Sequence, residues 1–239
     1  QTIAEQSIHK SSGLIIALEE SGYSGDHQAR ESKLLSDWSV QKSKLIGADA
    51  VKLLVYYHPQ SPKARMIEDL VENVAEQCNL WDILFMVEPL TYSINTREKK
   101  LTGNIRREVI LETAQRLSTF GGDILKAEFP IDINEYPEES SWAAACRDLT
   151  SVLEIPWVLL SASVDFETYM RQVVVACTEG SAGIAVGRAV WKEAVSSELN
   201  DREEFLNSAA TQRMDKLTSI VDALASPYSN FYKMRFEIP

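Results

Sequence analysis

The strongest constraint on this chain is a repeated alternation: short, almost wholly apolar runs recur along it, separated by amphipathic stretches of helical length. Successive βα units produce that order, and strands covered by helices on both faces are apolar throughout. The spacing predicts strands over 13–18, 50–56, 83–88, 124–129, 157–161 and 183–186. It predicts helices over 34–45, 63–78, 105–119, 141–153 and 166–178. A further helix is expected over 201–225, with Phe205, Ala209, Met214, Leu217, Ile220 and Val221 near one face. Neither a low-complexity tract nor a linker divides the 239 residues, so a single α/β domain over 1–239 is expected.

Six βα units fit a doubly wound sheet or most of a barrel. An internal echo favours the barrel: Gly47-Ala-Asp-Ala-Val-Lys52 and Gly121-Gly-Asp-Ile-Leu-Lys126 share the pattern Gly-x-Asp-x-x-Lys at predicted helix-to-strand junctions. No Gly-x-Gly-x-x-Gly fingerprint follows a strand, which removes the main support for dinucleotide binding.

A net charge of −11 argues against nucleic acid or an anionic membrane as partner. No apolar run has bilayer-spanning length, and no signal peptide is visible. Cys78, Cys146 and Cys177 are far apart and odd in number, so neither a disulfide framework nor a metal cluster is expected, and a reducing cytoplasm is the expected setting. His9, His27 and His58 are isolated, with no metal-ligand spacing. No cofactor is expected. Gln1 is not an initiator methionine and residues 1–12 read as the end of an amphipathic element, so the chain is expected to continue upstream.

A lysine within an apolar strand is costly unless it is paired or used. Desolvation disfavours the ammonium and so favours an amine nucleophile near neutral pH. Lys52 and Lys126 lie in such strands, and Glu88 ends a third, in Phe-Met-Val-Glu-Pro. A barrel gathers the C-terminal ends of its strands around one pocket, where one lysine can form an iminium, the other can depress its pKa, and the carboxylate can move protons. A buried Lys–Glu ion pair that only fixes the core explains the same residues. The residues alone leave both readings open.

Further along, Trp157-Val-Leu-Leu-Ser-Ala-Ser163 and Ala185-Val-Gly-Arg-Ala-Val-Trp191 occupy the seventh and eighth strand positions of a complete barrel, where phosphate is commonly bound. Ser161 offers a hydroxyl beside Ala162 and Ser163, Gly187 permits close backbone approach, and Arg188 adds a bidentate charge. Glu19, Glu20 and Tyr23, after the first predicted strand, are candidates for the pocket, although Glu20 reads as solvated. Glu128 is in phase with Lys126, and an ion pair explains it equally well. Trp38, Trp81 and Trp142 read as core, and the stretch 97–100 as a solvated loop.

The stretches Glu19-Glu-Ser-Gly-Tyr23, Asp37-Trp-Ser-Val40, 47–57, Glu88-Pro-Leu-Thr-Tyr92, Asp123-Ile-Leu-Lys-Ala-Glu128, 156–162 and Gly187-Arg-Ala-Val-Trp191, taken in order, resemble the class I tagatose 1,6-bisphosphate aldolases. The related sulfofructose-phosphate aldolases share much of the second half. The resemblance runs from about Gly13 to Val195 and implies a (β/α)8 TIM barrel. It implies Lys126 as Schiff-base lysine, Lys52 and Glu88 as assisting lysine and acid/base carboxylate, and Ser161 and Arg188 as phosphate contacts. The implied reaction is metal-independent, reversible cleavage of a phosphorylated ketose to dihydroxyacetone phosphate and an aldehyde. Sulfofructose-phosphate cleavage and non-catalytic sugar-phosphate binding are the alternatives, and assembly into a homo-oligomer is left open. The first visible strand resembles the family's third, so two βα units are expected to be missing from the sequence. Ser163 departs from the usual glycine of Ser-Ala-Gly-Val, which bears on substrate preference.

Overall fold

A computed structural model describes residues 8–9, 11–98, 100–162, 164–196 and 198–232. Two compact units divide the chain, one of Gln1–Leu101 with Glu108–Leu125, the other of Thr102–Arg107 with Lys126–Pro239.

In the first unit, β1 (Ile15–Ala17) pairs parallel with β4 (Ala50–Tyr57), and β4 pairs parallel with β5 (Leu84–Thr91) over its whole length. The ladder continues from Met86 and Val87 of β5 to Ile124 and Leu125, at the start of β6 (Ile124–Ala127). β4 alternates strictly. Val51, Leu53, Val55 and Tyr57 are at most 1% exposed, while Lys52, Leu54 and Tyr56 on the other face are half-buried. Against the first set packs α2 (Ala64–Trp81), whose buried Ala64, Ile67, Val71, Val74, Ala75 and Cys78 form a stripe at helical spacing. Both units are α/β.

The echo seen in the sequence has a structural cause. Gly47 (φ 84°) and Gly121 (φ 88°) take the left-handed conformation that glycine adopts at no steric cost. Two residues on, each aspartate clamps one residue of the preceding strand segment. Asp49 N–H donates to Leu14 O at 2.9 Å, and Leu14 N–H returns to Asp49 Oδ2 at 2.7 Å. Asp123 N–H donates to Phe85 O, and Phe85 N–H to Asp123 Oδ2, both at 2.8 Å. The clamp fixes register, and each lysine stands three residues beyond it.

Several predicted elements differ in extent, two of them in ways that bear on the site. The helix expected from residue 34 begins only at Val40 as α1 (Val40–Leu45), because Ser39 caps it by accepting Lys42 N–H at 3.1 Å. Leu34 and Leu35 instead follow β1, where Leu35 N–H donates to Leu18 O at 2.9 Å and Leu34 bridges Glu19. β5 runs past Glu88 through Pro89 to Thr91. Pro89, which has no N–H to give a ladder, stands near the C-terminal end of β5, opposite Val55 of β4. The loop after β1 also contains an unforeseen antiparallel hairpin, β2 (Ser24–Asp26) with β3 (Ala29–Glu31), turning at His27 and Gln28.

The second unit contains the end of β6, then α4 (Glu139–Ser151), β7 (Trp157–Leu160), α5 (Phe166–Thr178) and β8 (Gly183–Ala185). α3 (Gly103–Ser118) contributes its first turn here and the rest to the first unit. β7 and β8 pair in parallel, with Leu160 opposite Ala185. Asp165 caps α5 by accepting Thr168 N–H at 3.0 Å. An unpredicted helix, α6 (Arg188–Ser196), follows β8. The expected tail helix is divided into α7 (Leu199–Phe205), a π-turn over Leu206–Ala210 and α8 (Thr211–Leu224). The wider π-turn brings Ala210 rather than the expected Ala209 fully inward, and Leu217 is completely buried.

Candidate active site

In the first unit, three of the sequence-predicted residues meet. Lys52 Nζ lies 3.1 Å from Glu88 Oε2 and donates a short hydrogen bond to Glu19 Oε1. The three side chains are 17, 8 and 11% exposed for Lys52, Glu88 and Glu19, so this is a largely buried ammonium between two carboxylates. The backbone explains Glu19. Because β1 stops at Ala17, β4 lacks a strand partner further on, and Leu54 N–H donates to Glu19 Oε2 at 3.0 Å. In the same way Tyr56 N–H donates to Ser32 Oγ at 3.0 Å. Glu19 is thus held by both a backbone amide and a cation, whereas Glu88 reaches Lys52 from the neighbouring strand. The ion pair that competed with chemistry in the sequence reading is present, and its geometry also allows a proton to pass between Lys52 and either carboxylate.

In the second unit, Lys126 is half-buried on β6, on the face opposite Leu125 and Ala127, which are 0 and 2% exposed. Glu128 Oε1 lies 3.5 Å from Arg106 Nη2, which also donates to Phe129 O at 3.2 Å, so Glu128 takes part in an ion pair. The two candidate phosphate-contacting segments leave the C-terminal ends of adjacent paired strands. Ser161, 8% exposed, follows β7, while Gly187 and Arg188 follow β8. Ala162 has φ 41°, a left-handed conformation costing a non-glycine residue roughly 1–2 kcal/mol, and Val164 N–H closes the turn on Ser161 O at 3.1 Å. Ser163 lies outside the described residues. A Cβ on Gly187 would meet only Trp191, at 3.8 Å, so the surrounding chain does not demand glycine there. Arg188 is exposed at the first position of α6, where helix amides also face outward.

Of one cluster in the first unit, sequence reasoning singled out only Tyr23. Arg30, on β3, stacks over Tyr23 and Tyr92 at 4.3 and 4.5 Å and lies 5.4 Å from Tyr56. These residues come from three separate segments. The only local signal was Gly25 (φ 80°), where a Cβ would come within 2.7 Å of Ala29 O and block the hairpin. Among the described residues, no three His, Cys, Asp or Glu side chains are grouped to hold a metal ion, and no described helix is long and apolar enough to cross a membrane.

Known proteins resemble the chain along most of its length. Residues 2–193 match the DeoC/LacD family aldolase. The chain is similar to tagatose 1,6-diphosphate aldolase 2 of Streptococcus mutans serotype c, with 28% identity over 248 residues, covering 95% of this chain and 75% of that protein. Tagatose 1,6-diphosphate aldolase of Staphylococcus epidermidis is 28% identical over 240 residues, covering 91% and 74%. Among solved structures, an archaeal fructose 1,6-bisphosphate aldolase shares the fold with TM-score 0.63 and 21% identity, over 92% of this chain and 76% of that one. An archaeal fructose-1,6-bisphosphate aldolase with its catalytic lysine covalently bound to the carbinolamine intermediate gives TM-score 0.61 and 20% identity, over 92% and 75%. With its parallel βα units and with four-fifths of its length matched, the chain belongs to the DeoC/LacD family of aldolases, which are lyases.

Proposed function

We propose that this chain is a class I aldolase that reversibly cleaves a phosphorylated ketose, such as tagatose 1,6-bisphosphate, to dihydroxyacetone phosphate and an aldehyde, with Lys126 as the Schiff-base residue. The observation that carries this reading is the repeated glycine–aspartate clamp, which sets a lysine three residues into each of two strands. One of these lysines, Lys52, is engaged by two carboxylates. The other, Lys126, is proposed as the nucleophile. The covalently trapped lysine of the archaeal relative supports imine chemistry on this fold.

In the proposed reaction the Lys126 amine adds to the ketone carbon, and the carbinolamine loses water to give an iminium. Removal of the C4 hydroxyl proton breaks the C3–C4 bond; its electron pair flows into the iminium to form an enamine, and the aldehyde leaves. Protonation at C3 and hydrolysis then free dihydroxyacetone phosphate and regenerate the amine. Glu88, directly or through water, is proposed to take the hydroxyl proton, with Lys52 and Glu19 holding it in place. Ser161, Ala162, Ser163, Gly187 and Arg188 are proposed to bind phosphate through a hydroxyl, backbone amides and a guanidinium. Glu128 is proposed to act through its pair with Arg106.

Borohydride reduction in the presence of dihydroxyacetone phosphate should trap a covalent adduct on Lys126, identifiable by peptide mass, and Lys126→Met should abolish it. An adduct on another residue, or none on the folded protein, rejects the assignment.

A further inference from the structure

The tail helix α8 carries a cation that the proposed chemistry does not use. It touches both of the helices that follow the candidate phosphate-contacting segments of the second unit. Arg213 stands in the first turn of α8, with its side chain 21% exposed. Its Nη1 donates to Val190 O at 2.9 Å and lies 3.5 Å from Ala189 O. Both carbonyls belong to the first turn of α6, within three residues of Gly187. Nη1 also donates to Glu193 Oε2 at 3.0 Å, and Nη2 to Glu193 Oε1 at 2.9 Å, a bidentate pair on the same helix. Val190 N–H in turn donates to Gly187 O at 2.9 Å, so Val190 links the guanidinium to the turn from which Arg188 starts α6.

The same guanidinium reaches the other segment through its contact with aromatic rings. Its carbon lies 5.1 Å from the ring centroid of Phe166 and 5.3 Å from that of Phe205, at the end of α7. Phe166, 6% exposed, opens α5 directly after the Asp165 cap. That cap follows the turn in which Val164 N–H donates to Ser161 O. A contact with one helix alone would only dock the tail. Contact with both ties the start of α5 to the start of α6, and a phosphate bound by both segments needs their donors at hydrogen-bonding distance at the same time. Arginine suits this task because its planar fork can hold a carboxylate and a carbonyl while the group lies against a ring.

We propose that Arg213 is a positioning residue for phosphate binding: it fixes the starts of α5 and α6 relative to each other, so that Ser161 and the Gly187–Arg188 turn close on one phosphate. The inference rests on the aldolase reading above and deepens it, giving the tail helix a part in binding and none in the chemistry.

Binding of glycerol 3-phosphate, an unreactive analogue of dihydroxyacetone phosphate, is measured by calorimetry on the full chain. Arg213→Gln should weaken it about tenfold, and Arg213→Lys, which keeps the charge but loses the fork, about threefold. Leu217 is completely buried further along α8, and Leu217→Ala destabilises the same helix by opening a cavity. It should leave the affinity within about twofold of wild type. If Arg213→Gln does not fold, Glu193→Gln, which weakens the anchor of the guanidinium, takes its place with about a threefold loss expected. Borohydride trapping supplies a second readout. In Arg213→Lys the concentration for half-maximal trapping should rise for dihydroxyacetone phosphate and stay fixed for dihydroxyacetone, which has no phosphate. No binding of glycerol 3-phosphate by the wild type, an affinity unchanged by substitution at Arg213 and Glu193, an equal loss in Leu217→Ala, or an equal rise for both ketones overturns the proposal. Failure of the wild type to be trapped with either ketone would reject the aldolase reading separately, and the glycerol 3-phosphate affinities would still decide this one.

Discussion

At the scale of single residues, Lys52 shows how a structural and a catalytic role coincide. Its ammonium compensates two carboxylates that are at most 11% exposed, so removing it leaves like charges facing each other in a poorly solvated place. Lys52→Met should destabilise the protein by about 3 kcal/mol, lowering the thermal midpoint by roughly 5–10 °C, and should reduce turnover about 10²- to 10⁴-fold. Lys52→Met with Glu19→Gln should regain much of the stability but not the turnover. Joint recovery of both would mean that Lys52 only balances charge. The sequence showed that Lys52 needed a partner, since a lysine in an apolar strand is costly alone, and Glu88 was a visible candidate. It did not show that Glu19 would supply the shorter contact, because that depends on β1 ending at Ala17 and leaving Leu54 N–H without a strand acceptor.

At the scale of elements, the glycine–aspartate clamp determines register. Phe85 is completely buried, so its amide has no route to water if Asp123 is lost. Asp123→Ala should cost about 1–3 kcal/mol by chemical denaturation, while Asp123→Asn, which keeps an acceptor, should recover most of it. Equal loss in both would assign the effect to charge rather than to the amide hydrogen bond. The repeat was legible because the physical problem recurs: a helix must stop, turn through a left-handed residue and join a parallel neighbour. Elements with a local cause were likewise legible, as at α5, where Asp165 supplies the cap. Those set by neighbours were not. Residues 34–39 have helical periodicity, but Leu34 and Leu35 pair with the chain after β1, and the strand expected to end at Glu88 runs on through Pro89 beside β4.

At the scale of the whole molecule, both units bury their cysteines, at 2% exposure for Cys78, 0% for Cys146 and 1% for Cys177. Burial pushes the Cys78 thiol up to about 12 and that of Cys177 to about 11, and raises Cys146 as well, so none supplies appreciable thiolate near neutral pH. A disulfide-exchange reagent at pH 8 should leave all three unmodified in the native protein and titrate all three in denaturant. Rapid stoichiometric labelling of one native thiol would contradict this packing. The sequence by itself determined the α/β class, the order of strands and the residues with something to hide or to use. Each of these follows from local periodicity and from the cost of burying charge. Only the tertiary structure decided which charges meet: the Glu19–Lys52–Glu88 contact and the tyrosine box around Arg30 join segments distant in sequence. Their geometry comes from where strands end and which amides remain unpaired, and no local spacing encodes that.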